Sequence, residues 1–365
     1  MKLRKFYLLM TAAAIATTMA SCSDDDNDLK IDPDSPSVSE GAYILNQGNF
    51  YSNIEGGLNV INYSGSSAGN VFKAANGRSI GDTPQCGVAY GSKIYVGTYE
   101  SNTVEIINRS DYKSLKQIQL GADKTGFAGT QPRSMAAIDG KVYISMYDGY
   151  VCKLDTLTMK IEASVKVGPN PEQICIYRNR LYVPNSDGMN YPNYGKTATE
   201  IDLNNFTVSR TFEVGLNPNK FMSDENGLYV LCMGDYEKTA AKIYRVNTHD
   251  YSVTALADAT LAATGDDEIF LINAPFSGGD ITYSIYDTDH DRLQAWAIPE
   301  KPAYPSGIAV DEISDKVLVT SYVMNGQWPS YDAPGYVNVY DEDTLLFIRK
   351  FNIGSGPSCI FFNAL

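Results

Sequence analysis

Short apolar runs alternate with polar turns along most of the chain, and the runs have the length of β-strands. Residues 94–96 (IYV) and 181–183 (LYV) combine aromatic with β-branched side chains, and the turns that follow such runs contain Gly, Asn or Asp. Residues 103–107 (TVEII) and 336–340 (YVNVY) continue the pattern. No segment offers a long stretch with the 3.6-residue period of an amphipathic helix. The pattern therefore predicts an all-β chain.

A repeat that begins with proline organises these strands. Four to six mainly apolar residues follow each proline, and a short turn and a second strand come next. The repeat prolines, spaced by about 45 residues with one double interval, are Pro84, Pro132, Pro171, Pro218, Pro305 and Pro357. A period of roughly 40–50 residues with four short strands in each unit is the signature of a β-propeller. The double interval implies that one repeat, near 259–300, lacks its proline.

The two ends of the repeat array complement each other. Only one strand, at 359–362, fits after the last proline, whereas the segment before the first proline offers strands at 42–45, 58–62 and 71–74. We expect the C-terminal strand to become the innermost strand of this N-terminal sheet, because ring closure removes the exposed edges of an open array. The prediction is a seven-bladed β-propeller with one blade closed by the N- and C-terminal strands. A propeller with an eighth blade is the alternative.

One face of the predicted propeller carries the candidate site. The loops that enter the innermost strands share this face with the loops between second and third strands. Every second-to-third loop contains an aromatic residue, and a tyrosine gives rigid contact area plus one hydroxyl at a low entropic cost. The predicted ligand-binding residues are Phe50, Tyr51, Gln85, Tyr99, Arg133, Tyr147, Asp148, Glu172, Asn185, Tyr191, Tyr194, Asn219, Asp235, Tyr236, Phe276, Tyr322, Trp328 and Tyr331.

Such a ring of tyrosines and amides suits a large, flat ligand with polar edges. A corrin ring with amide side chains fits this description, and so does an oligosaccharide whose sugar faces stack on aromatic rings. The competing interpretation is that the aromatic residues only pack the loops together. Arg133 could meet an anionic group of a ligand, or it could pair with Glu172.

The N-terminus has the layout of a secretory signal peptide. A basic start at 2–5 precedes an apolar run over 6–16, which is too short for a permanent membrane span. Residues 19–22 (MASC) resemble a bacterial lipobox, in which the cysteine becomes the lipidated first residue of the mature protein. We therefore predict a lipoprotein signal peptide over 1–21 and lipidation of Cys22. A plain signal peptide with an incidental cysteine is the alternative.

A polar, acidic segment follows the predicted lipidation site. Residues 22–40 have almost nothing to bury, and such a segment stays disordered and acts as a tether, so the propeller is predicted over 41–365. Acidic residues directly after the cysteine resemble the surface-export signal of Bacteroidetes lipoproteins. The predicted location is the outer membrane, facing the cell exterior, with the periplasmic face as the alternative. The lipid anchor would be the only contact with the membrane.

Charge and cysteine content narrow the function classes. The chain has 43 acidic and 29 basic residues, a net charge of −14, whereas binding to nucleic acid needs a basic footprint. We therefore expect no nucleic-acid partner. The other five cysteines form no CxxC pair and are predicted to be small buried hydrophobic residues, with a single disulfide as the alternative: Cys86, Cys152, Cys175, Cys232 and Cys359.

Candidate catalytic groups are sparse. Both histidines, His249 and His290, lie in predicted turns between third and fourth strands, on the face opposite to the aromatic loops. The sequence has no GxSxG, HExxH or glycine-rich phosphate motif, which leaves Asp148 and Asp235 as a possible carboxylate pair. We predict a binding protein and not an enzyme, without cofactor or metal. A calcium site at 287–291 (DTDHD) is the alternative to a solvated turn there.

The repeat also resembles known families. Its leading proline and its Leu-Tyr-Val second strand resemble the YVTN-type propellers of bacterial surface proteins. Residues 43–50 (YILNQGNF) followed by 57–61 (GLNVI) resemble a Bacteroidetes family of seven-bladed surface lipoproteins. Its characterised members are the cobalamin-capturing BtuG proteins, which cap a TonB-dependent outer-membrane transporter. The resemblance implies binding of cobalamin or another corrinoid and transfer to such a transporter. A glycan-binding lipoprotein of a polysaccharide-uptake system and a protein-interaction scaffold or adhesin are the alternatives.

Overall fold

Small antiparallel sheets make up nearly all of the chain that the structure, a computed structural model, describes: residues 36–276 and 278–364. The first strands are β1 (Ser39–Asn46), β2 (Gly57–Asn62), β3 (Ser67–Ala68), β4 (Pro84–Tyr90), β5 (Lys93–Thr98), β6 (Thr103–Asn108), β7 (Ser114–Gln119), β8 (Pro132–Ile138), β9 (Lys141–Met146), β10 (Tyr150–Asp155), β11 (Lys160–Lys166), β12 (Cys175–Tyr177), β13 (Arg180–Asn185), β14 (Thr197–Asp202) and β15 (Thr207–Glu213). They are followed by β16 (Pro218–Ser223), β17 (Leu228–Cys232), β18 (Lys242–Val246), β19 (Val253–Asp258), β20 (Leu261–Thr264), β21 (Glu268–Asn273), β22 (Thr282–Asp287), β23 (Arg292–Ala295), β24 (Tyr304–Asp311), β25 (Lys316–Tyr322), β26 (Met324–Asn325), β27 (Trp328–Pro329), β28 (Tyr336–Asp341), β29 (Phe347–Asn352) and β30 (Pro357–Ala364). The connections contain the helices α1 (Val71–Asn76) and α2 (Ala122–Thr125) and a 3-10 turn (Phe50–Ser52).

The sheets form a ring of seven blades around a central channel. From the innermost strand outwards, blade 1 is β30-β1-β2-β3, blade 2 is β4 to β7, blade 3 is β8 to β11, blade 4 is β12 to β15, blade 5 is β16 to β19, blade 6 is β20 to β23 and blade 7 is β24-β25-β28-β29. The innermost strand of each blade contacts the innermost strand of the next, and β24 contacts β30 to close the ring. The predicted seven-bladed propeller is confirmed, and the described residues contain no eighth blade of this kind.

Blade 1 joins the two ends of the chain as predicted. Strand β1 pairs with β2 on one side and with β30 on the other, and both pairings are antiparallel. Tyr43 of β1 is completely buried and stacks on Phe361 of β30, with ring centroids 5.2 Å apart. The C-terminal strand therefore fixes the register of the N-terminal sheet and also closes the ring.

The strand predicted at 71–74 is wrong, because these residues belong to helix α1. The side chain of Asn70 accepts a hydrogen bond from the Lys73 N–H at the start of the helix, and Gly77 ends it in the left-handed conformation. Val71 and Phe72 are adjacent and both buried, which suits one face of a helix and not the alternation of a half-buried strand. The outermost strand of blade 1 is the two-residue β3.

The propeller begins slightly before the predicted boundary. Strand β1 starts at Ser39, so Ser39 and Glu40 belong to the sheet and not to the predicted tether. The Ser39 hydroxyl donates to Asp311 (2.5 Å), and the Ser314 hydroxyl donates to the Ser39 carbonyl (2.5 Å). The predicted signal peptide and Cys22 lie outside the described residues. Among the described residues, no helix is long and apolar enough to cross a membrane.

Apolar side chains are buried mainly between neighbouring blades. Between blades 6 and 7, Trp296 packs edge-on against Phe270 (5.4 Å) and Tyr340 (5.4 Å). Blade 6 is the repeat without a leading proline, and its innermost strand β20 is only four residues long. Aromatic pairs in edge-to-face geometry add roughly 0.5–1.5 kcal/mol beyond their burial. The Trp296 cluster thus holds blade 6 against its neighbour although the repeat signal is weak there.

All five cysteines of the propeller are free thiols. The largest influence on each of them is burial, which raises the pKa of the thiol, for example to about 12 in Cys152 and to about 11 in Cys359. Cys86, Cys152 and Cys232 are buried, in agreement with the prediction, whereas Cys175 and Cys359 are partly exposed. These thiols are therefore protonated at neutral pH.

Candidate functional site

The loops with aromatic residues surround one end of the central channel. We call this side the loop face; it consists of the second-to-third strand loops of all seven blades and the connections that enter the innermost strands. The first-to-second and third-to-fourth turns lie on the other side, the opposite face. In one of these turns Asp139 and Gly140 both have positive φ (51° and 72°), the geometry of the tight hairpins for which Asp-Gly is favoured. This hairpin adds little bulk to the opposite face.

Arg133 and Glu172 form an ion pair at the channel mouth. Arg133 Nε donates to Glu172 Oε2 (2.6 Å), so the pairing alternative for Arg133 is the one that the structure contains. Glu172 is 4% exposed. Burial raises the pKa of Glu172, and the Arg133 charge only partly opposes this. The mouth therefore holds two charges that largely neutralise each other.

Two tyrosines extend this ion pair. The Arg133 guanidinium lies over the Tyr147 ring (5.4 Å to the centroid), and Tyr147 meets Tyr99 edge-on (5.9 Å). Burial raises the pKa of Tyr147 to about 12, and the Glu172 charge adds to this. Both hydroxyls thus stay protonated and can donate hydrogen bonds at neutral pH.

Amide side chains line the mouth beside these groups. Gln47 Nε2 donates to Gln85 Oε1 (2.6 Å), and Gln173 Nε2 donates to Asn219 Oδ1 (3.4 Å). Gln85 and Asn219 were predicted from their positions after the repeat prolines. Gln47 and Gln173 were missed, although Gln173 follows Glu172 directly and Gln47 lies in the first aromatic loop. Amides can both donate to and accept from a polar ligand.

An aromatic ladder crosses blades 4 to 6. Tyr191 contacts Tyr194 (5.9 Å), Tyr194 contacts Tyr236 (5.7 Å), and Tyr236 contacts Phe276 (4.9 Å), all close to edge-to-face. Neighbouring blades thus hold each other's loop aromatics, as the packing alternative requires. Tyr191, Tyr236 and Phe276 nevertheless remain exposed. The ladder therefore packs the loops and still presents apolar surface.

Blades 7 and 1 contribute two further aromatic groups. Tyr331 contacts Tyr322 (5.1 Å), and Tyr322 contacts Tyr304 (6.3 Å). Tyr304 was not among the predicted residues, because it lies before Pro305 and not in a second-to-third loop. Phe50 and Tyr51 form a pair of their own (5.9 Å). The exposed Trp328 stands on the small hairpin of β26 and β27.

Three predicted polar residues serve the loops themselves. Asn185 is completely buried and donates to Thr199 (3.0 Å), so its predicted ligand contact does not fit its position inside blade 4. Asp235 accepts the backbone N–H groups of Lys238 and Thr239 (both 2.7 Å), and such bonds lower its pKa to about 2. Asp148 accepts from Thr130 (2.8 Å). Asp235 makes the local side chain-to-backbone bonds that Asp favours in turns, whereas Asn185 and Asp148 bond to threonine side chains that are distant in sequence.

The catalytic and metal candidates lie elsewhere. His249 and His290 occupy third-to-fourth strand turns of the opposite face, as predicted. In the turn considered for calcium, Asp287 accepts the His290 N–H (2.9 Å) and Asp291 pairs with Arg245 (2.7 Å). Over 36–276 and 278–364 no group of three or more His, Cys, Asp or Glu residues is placed to hold a metal ion.

Behind the mouth, the central channel is a cavity of about 640 Å³. The innermost strands of the blades supply its wall. Gln85, Arg133, Gln173 and Asn219 line the end at the loop face, and Asp311 and Glu312 line the end at the opposite face. The site thus consists of an exposed aromatic rim, a polar mouth and a channel behind it.

Comparison with known proteins identifies a family and several similar folds. A family profile described as a domain of unknown function, DUF5074, matches residues 40–362. Among curated proteins, no sequence match was found. The structure is similar to a hypothetical selenium-binding protein from Sulfolobus tokodaii, with a TM-score of 0.66, 10% sequence identity and coverage of 89% of this chain and 94% of that chain. It is also similar to the Kuenenia stuttgartiensis hydrazine synthase, with a TM-score of 0.55, 13% identity and coverage of 71% of this chain and 77% of that chain. Its similarity to U3-55K has a TM-score of 0.53, with 11% identity and coverage of 75% of this chain and 83% of that chain. At such identities the likeness concerns the fold alone.

Proposed function

We propose that this chain, which belongs to the DUF5074 family, captures a flat nutrient with polar edges on its loop face, and that the nutrient is cobalamin or a related corrinoid. The observation that carries the proposal is the exposure of aromatic rings around the channel mouth. Tyr51 is 95% exposed, Phe276 71% and Trp328 70%. Monomeric proteins rarely expose contiguous apolar patches without a binding role.

The arrangement of the rim favours a broad ligand over a small one. The aromatic groups come from blades 1, 4, 5, 6 and 7, on several sides of the mouth. Edge-to-face contacts such as Tyr236–Phe276 limit the freedom of these rings before a ligand arrives, so less entropy is lost on binding. A corrin ring would lie across the rim and bury its face against them.

The polar mouth matches the edges of such a ligand. Gln47, Gln85, Gln173 and Asn219 offer amide groups beneath the rim, and Arg133 is largely neutralised by Glu172. Neutral donors and acceptors suit the amide side chains at the edge of a corrin better than a strongly charged ligand. The proposed mechanism is binding without chemistry, on a largely preformed surface.

The proposed cellular setting is the outer surface of a Bacteroidetes outer membrane. There the protein would be lipidated at Cys22 and would pass its ligand to a TonB-dependent transporter. The pairing of Ser39 with Ala364 supports this arrangement, because it puts the start of β1 at the opposite face. A tether that joins the propeller there leaves the loop face clear for ligand and transporter.

Calorimetric titration of the purified mature protein with cyanocobalamin tests the proposal, with a panel of oligosaccharides titrated in parallel. We expect saturable one-to-one binding of cyanocobalamin. Binding of an oligosaccharide instead would favour the glycan alternative, which the exposed aromatic rings also suit. Absence of binding to both ligand classes would contradict small-molecule capture and direct attention to protein partners.

Substitution of Trp328 and Tyr331 by Ala tests the place of the site. Both rings are exposed on blade 7, and a buried aromatic anchor dominates many binding sites, so we expect the double variant to lose cyanocobalamin affinity by at least ~10-fold. Leu157→Ala is the matched control, because Leu157 is 85% exposed in a turn of the opposite face. Equal affinity of the double variant and the wild type would put the site elsewhere.

A further inference from the structure

A lysine without a carboxylate partner lines the wall of the central channel. Lys220 lies on β16, the innermost strand of blade 5. Its ammonium group donates to the carbonyl oxygen of Ala262 on the neighbouring blade (2.8 Å). Within 36–276 and 278–364, no Asp or Glu forms an ion pair with Lys220, and its other two N–H bonds have no protein acceptor. Lys220 is half-buried in the channel wall, and an ammonium group that loses part of its hydration is usually paired.

The groups around Lys220 do not supply the missing negative charge. Desolvation lowers the pKa of Lys220 to about 8, and the ionisable groups close to it include the thiols of Cys359 and Cys175. Burial raises the pKa of each of these thiols to about 11, so they are neutral at pH 7. At this pH Lys220 still carries most of its charge. Near the mouth, the charge of Arg133 is already taken up by Glu172.

The charges and amides along the channel favour entry of an anion from the loop face. Asp311 and Glu312 line the end at the opposite face, where a second negative charge would be repelled. The end at the loop face carries amides, and Asn219, next to Lys220 in the chain, donates its amide N–H bonds to no residue in the described part. An oxyanion that entered from the loop face would thus meet neutral donors first and the ammonium group behind them.

We propose that the end of the channel at the loop face is an anion site in which Lys220 and Asn219 bind a phosphate or carboxylate group. The ammonium group would contribute two charge-assisted hydrogen bonds through the N–H bonds that it does not use, and Asn219 would contribute a neutral one. Because the site lies behind the rim, it does not depend on which ligand the loop face binds. A free anion and an anionic arm of a larger molecule would use the same groups.

Titration of the mature protein with inorganic phosphate and with acetate tests this site. We expect saturable binding of one of the two, and the stronger one identifies the anion class. Lys220→Met should weaken that binding by roughly 10-fold or more, whereas Lys220→Arg, which keeps the charge, should retain it. Lys160→Met is the control, because Lys160 is an exposed lysine at the start of β11. It reports what the loss of any one positive charge does to anion binding.

A pH series on the unchanged protein provides a second readout that needs no variant. Sulfate keeps its charge between pH 7 and 9.5, so a change in its affinity reports on the protein. Lys220 is protonated below its pKa and neutral above it; the affinity should therefore fall as pH rises through about 8. Three results would each overturn the proposal: equal anion affinity of Lys220→Met and wild type, pH-independent sulfate binding, or absence of saturable binding to all three anions. The cyanocobalamin titration is a separate experiment, so failure of one proposal is distinguishable from failure of the other.

Discussion

Replacing Phe361 by Ala is expected to lower the free energy of unfolding by ~3–5 kcal/mol, the usual cost of removing a buried phenyl ring. Phe361 lies on β30, is 8% exposed and stacks on Tyr43 of the adjoining strand. It also fills the space above Gly87 of blade 2, where an added Cβ would come within 2.7 Å of its ring. The cavity left by the change would thus lie where the ring of blades closes.

Denaturant unfolding followed by intrinsic fluorescence measures this loss. Phe276→Ala is the matched control, because Phe276 is largely exposed on the loop face and its removal should cost at most the ~0.5–1.5 kcal/mol of its edge-to-face contact with Tyr236. If Phe361→Ala were as stable as Phe276→Ala, the C-terminal strand would not hold the propeller closed in solution.

The fold was predictable because the same proline-led strand pattern recurs in several blades. Prolines such as Pro84 and Pro132 open an innermost strand in successive blades, so an error in one repeat does not change the architecture. The missing innermost strand before Pro84 and the surplus strand after Pro357 then required closure by both termini. A closed ring leaves few arrangements of such units.

Helix α1 was not predictable with the same certainty, because it lies outside the repeat. Four residues at 71–74 are too few to distinguish a period of 3.6 from a period of 2. The decisive features are its ends: the Asn70 side chain caps Lys73, and Gly77 adopts φ 67°. Both are turn residues, and they also occur in the hairpins of this chain.

The aromatic content of the second-to-third loops was predictable from the sequence, but the contacts of these residues were not. Aromatic content in each loop is a sequence property, whereas the contact of Tyr236 with Phe276 depends on how two loops fold across a blade boundary. The same limit explains Asn185, whose side chain turns into blade 4. The sequence does distinguish Lys220: it stands two residues after Pro218, where other repeats have Cys86 or Ser134.

Replacing Arg133 by Met is expected to destabilise the protein by ~3–5 kcal/mol, because it leaves the buried Glu172 carboxylate without its partner. Arg133→Met/Glu172→Gln removes both charges and should recover most of the loss, since the cost comes from the uncompensated charge and not from the absence of the pair. Equal stability of the single and the double variant would assign the loss to packing against Tyr147.

The pH dependence separates these two causes independently. Burial already raises the pKa of Glu172, and without Arg133 nothing comparable opposes it. The folded state of Arg133→Met would then bind more protons than the unfolded chain at every pH between the ordinary glutamate pKa and the raised one. Its stability must therefore fall as pH rises through this window and return as pH is lowered.

Unfolding free energies at pH 5.5 and 8, each compared with that of Arg133→Met/Glu172→Gln at the same pH, should show a deficit in stability that is smaller at pH 5.5. A deficit of the same size at both pH values would mean that Glu172 is ionised throughout and that solvent, not Arg133, stabilises its charge.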